Sequence, residues 1–277
     1  MLSFNFMPKV TVLNVTSKPG GIDVLKDNLD KQSFTDFEVV IVDKLHGWRH
    51  KEVAKAFKDS PYPVYHIPEP MGAPTDAWNL NKAYNAGLRD AKGELVVSLQ
   101  DYIWIKGTGI EQFVDIYEDY GPKVAICGVG NKALYPNKAD DRNGKLSIWK
   151  TPFTGKPEGI SEADHRYDGK QTLEDIPHSL FELNWAAIPL QGLKEIGGFD
   201  ERYDQGFSCD NFNLSFRLSL IDYAFLLDKT NECIGFNQRD IFPRPVDWEK
   251  RHNRYQRHPT IIRAIIEKRE SYKLNHL

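Results

Sequence analysis

The chain has 277 residues, of which 40% are hydrophobic and 27% charged, and its formal net charge is −3. This composition is typical of a soluble globular protein, with enough length for one large domain or two small ones. No run approaches the ~18 apolar residues of a membrane helix. The first ten residues also lack the basic start and apolar core of a signal peptide. We therefore expect a cytoplasmic protein without a transmembrane segment, or one in the host cytoplasm if the source is a virus.

The cysteines argue against a disulfide framework and against a zinc site. Cys127, Cys209 and Cys233 are far apart and odd in number, which predicts free thiols in a reducing compartment. The charge is unevenly distributed, because Asn237–Leu277 holds ten Lys/Arg against five Asp/Glu. A basic segment of this kind can contact phosphates, although a solvated helix face explains it equally well.

The first half of the chain alternates between predicted strands and predicted helices. Apolar, β-rich runs predict strands over Val10–Val15, Phe37–Val42, Val64–Ile67, Leu95–Leu99 and Lys123–Val129. Helical spacing predicts helices over Ile22–Gln32, His50–Lys58, Thr75–Ala91 (with Thr75 as N-cap) and Gly109–Tyr120. Continuous apolar strands separated by helices indicate an α/β fold, with a mostly parallel sheet and helices on both faces.

The second half is less regular. Residues 130–177 are rich in Gly, Pro, Asp, Asn and Lys, which predicts a long loop or insertion near the active site, with disorder as the alternative. A strand is expected at Tyr223–Leu227 and a helix around Thr260–Lys273. We predict one domain over residues 1–236 and a basic C-terminal helical extension over residues 237–277.

The fourth predicted strand ends abruptly in the polar cluster Gln100-Asp101-Tyr102. In open α/β sheets, ligands bind outside the carboxyl ends of the strands. A carboxylate at that edge can hold a metal ion or contact a nucleotide. The alternative is that Asp101 only caps a turn, because Asp is common where strands end.

Four segments together resemble a known family. They are VTVLNVT with FEVVIVD (10–16 and 37–43), NKAYNAGLRDAKGELVVSL (81–99), QDY (100–102) and GGFDERYDQGFSCDNFNLSFRL (197–218). Over roughly residues 10–217 the chain resembles the GT-A nucleotide-sugar glycosyltransferases, specifically the large inverting family that includes cellulose, chitin and many bacterial and viral sugar transferases. The resemblance implies a GT-A, Rossmann-like fold. It also implies nucleotide binding by Thr16, Asp43, Asn85, Gln100 and Asp101.

The family's metal motif is altered in this chain. The family usually has Asp-x-Asp, whereas here Gln100 replaces the first Asp and Tyr102 the last. The resemblance therefore implies Mn²⁺ or Mg²⁺ held by Asp101. His252, in the basic C-terminal segment, is a candidate for a further metal ligand, with an ordinary surface histidine as the alternative. Both ions prefer oxygen ligands and usually keep several waters. Cationic side chains in place of the metal are the alternative.

The family's Glu-Asp position is occupied here by Asp210-Asn211. The resemblance implies that Asp210 is the general base, which takes the proton of the acceptor hydroxyl as it attacks the sugar in line. An N-cap for the following helix is a second role for Asp210. Trp185 lies where the family contacts the acceptor or sugar, with a core position as the alternative. Arg251 and Arg254 are candidates for phosphate binding, since guanidinium groups match phosphate oxygens.

The expected donor is a UDP-sugar, with GDP and dTDP sugars as alternatives. The acceptor is left open between a glycan, a lipid, a protein and a modified nucleic acid. Two other classes compete: a non-catalytic relative that binds nucleotide, sugar or nucleic acid, and a nucleotidyltransferase, which Lys18, Gly20 and Gly21 favour weakly. A dinucleotide-binding oxidoreductase is disfavoured, because no G-x-G-x-x-G follows the first strand.

Overall fold

The computed structural model describes residues 8–17, 20–70, 79–101, 103–133, 160–205, 210–236, 257–267 and 270–277. Its strands are β1 (Val10–Thr16), β2 (Phe37–Asp43), β3 (Val64–Pro68), β4 (Leu95–Leu99), β5 (Ile103–Ile105), β6 (Val124–Ala133), β7 (Ile160–Glu162), β8 (Leu173–Asp175), β9 (Trp185–Pro189) and β10 (Ala224–Phe236). Its α-helices are α1 (Ile22–Asp30), α2 (His46–Ala56), α3 (Leu80–Asp90), α4 (Gly109–Tyr120), α5 (Leu190–Glu195), α6 (Asp210–Ser219) and α7 (Arg257–Ile266). Two short 3-10 helices cover His178–Leu180 and Glu201–Gln205.

Across the described residues, ten strands form one sheet in the order β3-β2-β1-β4-β9-β6-β10-β5, with β7 paired to β6 and β8 paired to β10. Strands β3, β2, β1 and β4 are parallel neighbours. Strand β9 lies antiparallel between β4 and β6, so that β6 and its parallel neighbour β10 run in the same direction as β4. The prediction of a mostly parallel α/β sheet is confirmed.

Helices cover both faces of the sheet because the strands are apolar on both sides. Successive side chains of a strand point to opposite faces. Val10 and Val12 of β1 belong to a core cluster with residues of α1, α2 and α4. Leu13 and Val15 belong to a second cluster with residues of α3, α5 and α6. None of the described helices is long and apolar enough to span a bilayer.

The C-terminal helix α7 packs against α6 and the 3-10 helix Glu201–Gln205 rather than on the sheet. Its Ile261 and Ile265 are buried with Tyr203, and Phe216 of α6 packs on the same cluster. The expected helix near the C-terminus is therefore present, shifted a few residues toward the N-terminus. The division into two domains stays a prediction.

Several elements differ from the sequence expectations, and strands β5 and β9 were not among the predicted strands. Strand β10 continues to Phe236. A register shift between Asp228 and Glu232 accommodates the polar middle of the strand, and its pairing with β6 then resumes. Strands β7 and β8 lie within the stretch expected to be a loop. The predicted N-cap Thr75 lies outside the described residues.

The Gly-Gly-Phe-Asp segment (197–200) is held by close backbone contacts. Gly197 has a φ of 74°, and a Cβ there would lie 1.7 Å from the carbonyl oxygen of Leu274. The buried guanidinium of Arg217 donates to the carbonyl oxygens of Ile196 (3.0 Å) and Gly198 (2.6 Å). These residues of the last sequence motif therefore have structural roles: Arg217 ties the segment to α6, and Gly197 lets it lie against Leu274 near the C-terminus.

A carboxylate just beyond this segment caps helix α3. Asp204 accepts hydrogen bonds from the backbone N–H groups of Asn81 (2.6 Å) and Lys82 (3.0 Å). The first N–H groups of a helix have no partner within the helix. The second half of the chain therefore supplies the cap for a helix of the first half.

Candidate active site

The ends of several strands meet at one edge of the sheet, which we call the carboxyl edge. Thr16 and Asp43 end β1 and β2 side by side in register. Gln100 follows the last residue of β4, and its N–H donates to the carbonyl oxygen of Asn184 (3.2 Å), just before β9. The ends of β6 and β10 lie at this edge too, since these strands run parallel to β4. This is the edge where ligands of open α/β sheets bind.

The carboxylate of Asp43 is fully buried and fully hydrogen-bonded. Its Oδ1 accepts from the Leu45 N–H (2.7 Å) and from the Arg49 guanidinium (2.8 Å). Its Oδ2 accepts from Arg49 Nε (2.6 Å) and makes a 2.8 Å contact with His66 Nε2. The protein therefore occupies all four acceptor positions of this carboxylate. In this arrangement Asp43 has no lone pair left for a nucleobase or ribose, and a contact of that kind would require one partner to move away.

Opposing effects act on the pKa of Asp43. Burial raises the pKa, but the hydrogen bonds from His66 and Arg49 and the positive charge of Arg49 outweigh burial, so the pKa lies below its ordinary value. Thr16 belongs to the same network, because its hydroxyl oxygen accepts from the Arg49 guanidinium (3.2 Å). Thr16 and Asp43 thus lie together as predicted, in a closed network rather than facing solvent.

Histidines extend this network toward the start of α2. The ring of His46 lies 4.6 Å from the ring of His66 and 5.2 Å from that of His50. Burial, followed by the nearby His66 and His50, lowers the pKa of His46. The other ring nitrogen of His66, Nδ1, is buried without a hydrogen-bond partner among the described residues.

Asn85 holds the Gly-Gly-Phe-Asp segment instead of facing the carboxyl edge. Its buried side chain donates to the Phe199 carbonyl (2.9 Å) and to Glu201 (3.0 Å) and accepts from the Phe199 N–H (2.8 Å). Both donors of the amide are thus used within the protein. The proposed role of Asn85 in nucleotide binding therefore has no support from its contacts.

Asp101 and Gln100 are half-buried at the end of β4, where the sequence places them, whereas Tyr102 lies outside the described residues. Within the described part of the chain, no group of three or more His, Cys, Asp or Glu side chains is arranged to hold a metal. A single carboxylate still fits a Mg²⁺-type site, because such ions are often held by one or two carboxylates together with substrate phosphates and water. Asp101 has this position, whereas His252 lies outside the described residues.

Trp185 is a core residue in this structure. Its side chain is 1% exposed, its ring lies 4.8 Å from the ring of Phe113, and its Nε1–H donates to Asn231 (2.7 Å). A buried indole has no free face on which a sugar could stack. Of the two interpretations of Trp185, the core position fits this environment and stacking on a sugar does not.

The start of α6 is close to the carboxyl edge. The helix begins at Asp210, and the side-chain amide of Asn211 donates to the carbonyl oxygen of Phe181 (3.3 Å). The orientation of the Asp210 side chain is outside the described structure, as are Arg251 and Arg254. Asp210 precedes Asn211, which is bonded to Phe181, and Asn184, three residues after Phe181, is bonded to Gln100.

Next to this segment lies a cavity of about 230 Å³, which we call the Glu182 cavity. Its walls come from the end of β6, from residues 162–166, and from the start of β9. Arg166 and Asp164 form a salt bridge whose side chains are 4% and 5% exposed. The Glu182 carboxyl lies nearby, and burial raises its pKa although Arg166 partly offsets the effect.

Comparison with solved structures relates this architecture to known enzymes. A structure of GalNAc-T7 with UDP, GalNAc and Mn²⁺ has a TM-score of 0.59 and 12% identity, with 84% of this chain and 44% of that chain covered. TarS 1-349 of S. aureus in complex with UDP gives 0.55 and 16%, covering 84% and 62%. The mannosyltransferase PcManGT from Pyrobaculum calidifontis, in complex with GDP-Man and Mn²⁺, gives 0.58 and 18%, covering 94% and 65%.

The chain has the GT-A fold. It spans 44 to 65% of the length of these three structures. No protein-family model matches the sequence, and no curated protein matches it. The predicted GT-A fold is therefore confirmed by its architecture.

The sequence did not predict a role for four buried or half-buried ionisable residues near this sheet edge. They are Arg49, His66, Arg166 and Glu182. Arg49 and His66 close the network around Asp43. Arg166 and Glu182 belong to the cavity at the other end of the same edge. The sequence offers no local signal for them, since Arg49 and Arg166 lie in polar stretches and His66 lies inside the predicted strand Val64–Ile67.

Proposed function

We propose that the protein is a glycosyltransferase that moves a sugar from a nucleotide-sugar donor to an acceptor hydroxyl with inversion at the anomeric carbon. The observation that carries the proposal is the position of Asp101 and Asp210 on one GT-A carboxyl edge. Residues 181–184 connect them, since Asn184 is bonded to Gln100 and Phe181 to Asn211. The neighbouring structures contain UDP, GDP-Man and Mn²⁺, which supports the same class of donor here.

In this proposal the two aspartates have different tasks. Asp210 accepts the proton of the acceptor hydroxyl while that oxygen attacks the sugar. The departing nucleoside diphosphate gains negative charge that must be neutralised. Mn²⁺ or Mg²⁺, held by Asp101 and by the diphosphate itself, would supply that neutralisation.

We take UDP as the nucleotide, with GDP and dTDP as the alternatives, and leave the acceptor open between glycan, lipid, protein and modified nucleic acid. The competing proposal is a non-catalytic relative. It is favoured by Gln100, Tyr102 and Asn211, which stand where the resembled family has carboxylates. The closed network around Asp43 favours it too.

A thermal-shift panel tests donor binding. The melting temperature is measured with UDP, GDP, CDP and dTDP, each with and without Mn²⁺, because a ligand that binds only the folded state stabilises it. We expect one nucleotide to raise the melting temperature, and to do so more strongly with Mn²⁺. Asp101→Ala should remove the Mn²⁺-dependent part of this shift, whereas Asp119→Asn, on the exposed side of α4, should leave it unchanged.

Turnover tests catalysis separately. Asp210→Asn should abolish release of UDP from a UDP-sugar while preserving the nucleotide-induced thermal shift. Near-normal turnover in this variant would exclude Asp210 as the base. Binding of no nucleotide by the wild-type protein would overturn the proposed function, whereas binding without turnover would favour the non-catalytic relative.

A further inference from the structure

The Glu182 cavity lies beside the proposed transfer site without including either Asp101 or Asp210. Asn184 connects the two regions, because it lines the cavity and its carbonyl oxygen is bonded to the N–H of Gln100. Glu182 itself follows Phe181, which is bonded to Asn211 at the start of α6. The cavity therefore lies at the same edge of the sheet on which the transfer is proposed to occur.

One wall of this cavity is rigidly built. Arg166 donates to both carboxylate oxygens of Asp164 and to the carbonyl oxygens of Gly128 (3.2 Å) and Leu180 (3.0 Å). Asp164 accepts in addition from the N–H of Gly130 (2.9 Å). These bonds join residues 164–166 to strand β6 and to the turn before β9. Such preorganisation is expected where a site must hold a ligand in one position.

Glu182 differs from the other carboxylates of the cavity. Asp164 is paired with Arg166, and Glu162 is paired with Lys132 (2.8 Å). In the part of the chain that the structure describes, the half-buried Glu182 side chain makes neither a hydrogen bond nor a salt bridge. A half-buried carboxylate that receives no hydrogen bond from the protein keeps its acceptor positions for a ligand.

The charges of the cavity indicate which ligand this is. The two ion pairs balance, so Glu182 contributes the excess negative charge, and an anionic ligand such as a phosphate is disfavoured. The cavity is smaller than the ~300–1,000 Å³ pockets that take drug-sized ligands, which suits one ring. Most of the residues that line it are polar or charged, so it offers hydrogen-bond partners to such a ring.

We propose that the Glu182 cavity is a binding subsite for a single hydroxyl-bearing sugar ring and that Glu182 accepts hydrogen bonds from the hydroxyl groups of that ring. The inference rests on the proposed function and deepens it, since it assigns a sugar site that is separate from the nucleotide site. The ring can belong either to the acceptor or to the transferred sugar of the donor.

Saturation-transfer NMR with free monosaccharides tests this proposal directly. The probes are glucose, galactose, mannose and N-acetylglucosamine, measured on the wild-type protein, on Glu182→Gln and Glu182→Ala, and on Glu118→Gln as a control. Glu118 is an exposed glutamate paired with Lys9, away from the carboxyl edge. We expect at least one sugar to bind the wild type and the control equally well.

Both Glu182 variants should bind that sugar at least about tenfold more weakly, as expected for losing a hydrogen bond to a charged group. Unchanged thermal midpoints would establish that the variants are folded. Equal binding by wild type and both variants would overturn the proposal, and so would the absence of binding by all four sugars.

Competition identifies which ring occupies the cavity. If UDP-glucose or GDP-mannose displaces the free sugar while UDP or GDP does not, the ring is that of the donor. If the free sugar stays bound beside the nucleotide-sugar, the ring is that of the acceptor. Either result supports a sugar subsite. The nucleotide thermal shift reports on the proposed function independently, so failure of one proposal can be separated from failure of the other.

Discussion

Two carboxylates on the same sheet edge have opposite surroundings. Asp43, at the end of β2, is fully buried, and four hydrogen bonds from the protein satisfy it. Glu182, before β9, is half-buried, and no described residue donates a hydrogen bond to it. Burial raises the pKa of both groups, but only at Asp43 do partners reverse the effect. A carboxylate at this edge can therefore either stabilise the fold or remain available to a ligand. The number of hydrogen bonds that it receives from the protein distinguishes the two cases.

The largest expected effect comes from opening the Asp43 network. Arg49→Met should lower the free energy of unfolding by about 3–5 kcal/mol, because it leaves a buried carboxylate without its main partner. Urea denaturation measures the change. Lys26→Met is the control, since it breaks a partly exposed pair with Asp30 and should cost less than about 1 kcal/mol. Similar small losses in both variants would contradict the structural role given to Asp43.

A smaller effect is expected from crowding the wall near the Glu182 cavity. A Cβ at Gly128 would lie 2.3 Å from the carbonyl oxygen of Asn231 and 2.6 Å from Trp185 Cδ1. Gly128→Ala should therefore cost about 1–3 kcal/mol through overpacking. Gly130→Ala, two residues later on β6, has its nearest neighbours at 3.9 Å and should be close to neutral. Urea denaturation measures both changes. An equally small loss of stability in the two variants would mean that the neighbours of Gly128 move aside at little cost.

Acid should remove the stabilisation at Asp43. The pKa of Asp43 is lower in the folded state than its ordinary value of 3.8, so its contribution is complete above pH 3.8 and is lost as the pH falls through the folded pKa. The difference in stability between wild type and Asp43→Asn should therefore still include the full contribution of the ionised Asp43 at pH 5. Below pH 3.8 it should shrink by about 1.4 kcal/mol for each unit of pKa depression. A difference that does not change with pH would contradict the assignment.

The smallest effect, of opposite sign, is expected at Glu182. Its pKa lies above the ordinary 4.5, so the ionised carboxylate reduces stability as the pH rises from 4.5 through the folded pKa. Glu182→Gln should therefore leave stability at pH 7 unchanged or raise it by up to about 1 kcal/mol. A loss of more than 1 kcal/mol in urea denaturation would indicate a stabilising partner and would remove the contrast with Asp43.

The parallel core could be predicted from the sequence because its signals are local. Strand Leu95–Leu99 and helix Gly109–Tyr120 have the predicted bounds, since each is an uninterrupted pattern with a clear end. Strand β9 was missed because Trp185–Pro189 is short and half alanine and proline. The polar residues after Asp228 are typical of a strand end, yet β10 continues beyond them, with a bulge where its pairing with β6 shifts.

Residues of the candidate site could be predicted where their position at the end of a strand brings them to the site. They could not be predicted where contacts between separate elements bring them there. The resemblance assigned Thr16 and Asp43 to one binding site, and both lie at the carboxyl edge because they end neighbouring strands. It could not reveal that Arg49 and His66 would enclose Asp43, because these contacts join separate elements. Glu182 was missed for the same reason, since its surroundings come from β6 and from residues 162–166.

The cap on α3 also constrains the order of events when the chain is synthesised. Asp204 caps a helix that begins more than 120 residues earlier, at a sequence separation of 123 residues between Asp204 and Asn81. While a ribosome is still making the middle of the chain, the first turn of α3 is without this partner, and contacts between such distant residues form slowly. The nascent first half thus carries an uncapped helix, and α3 gains this cap only after synthesis has passed well into the second half of the chain.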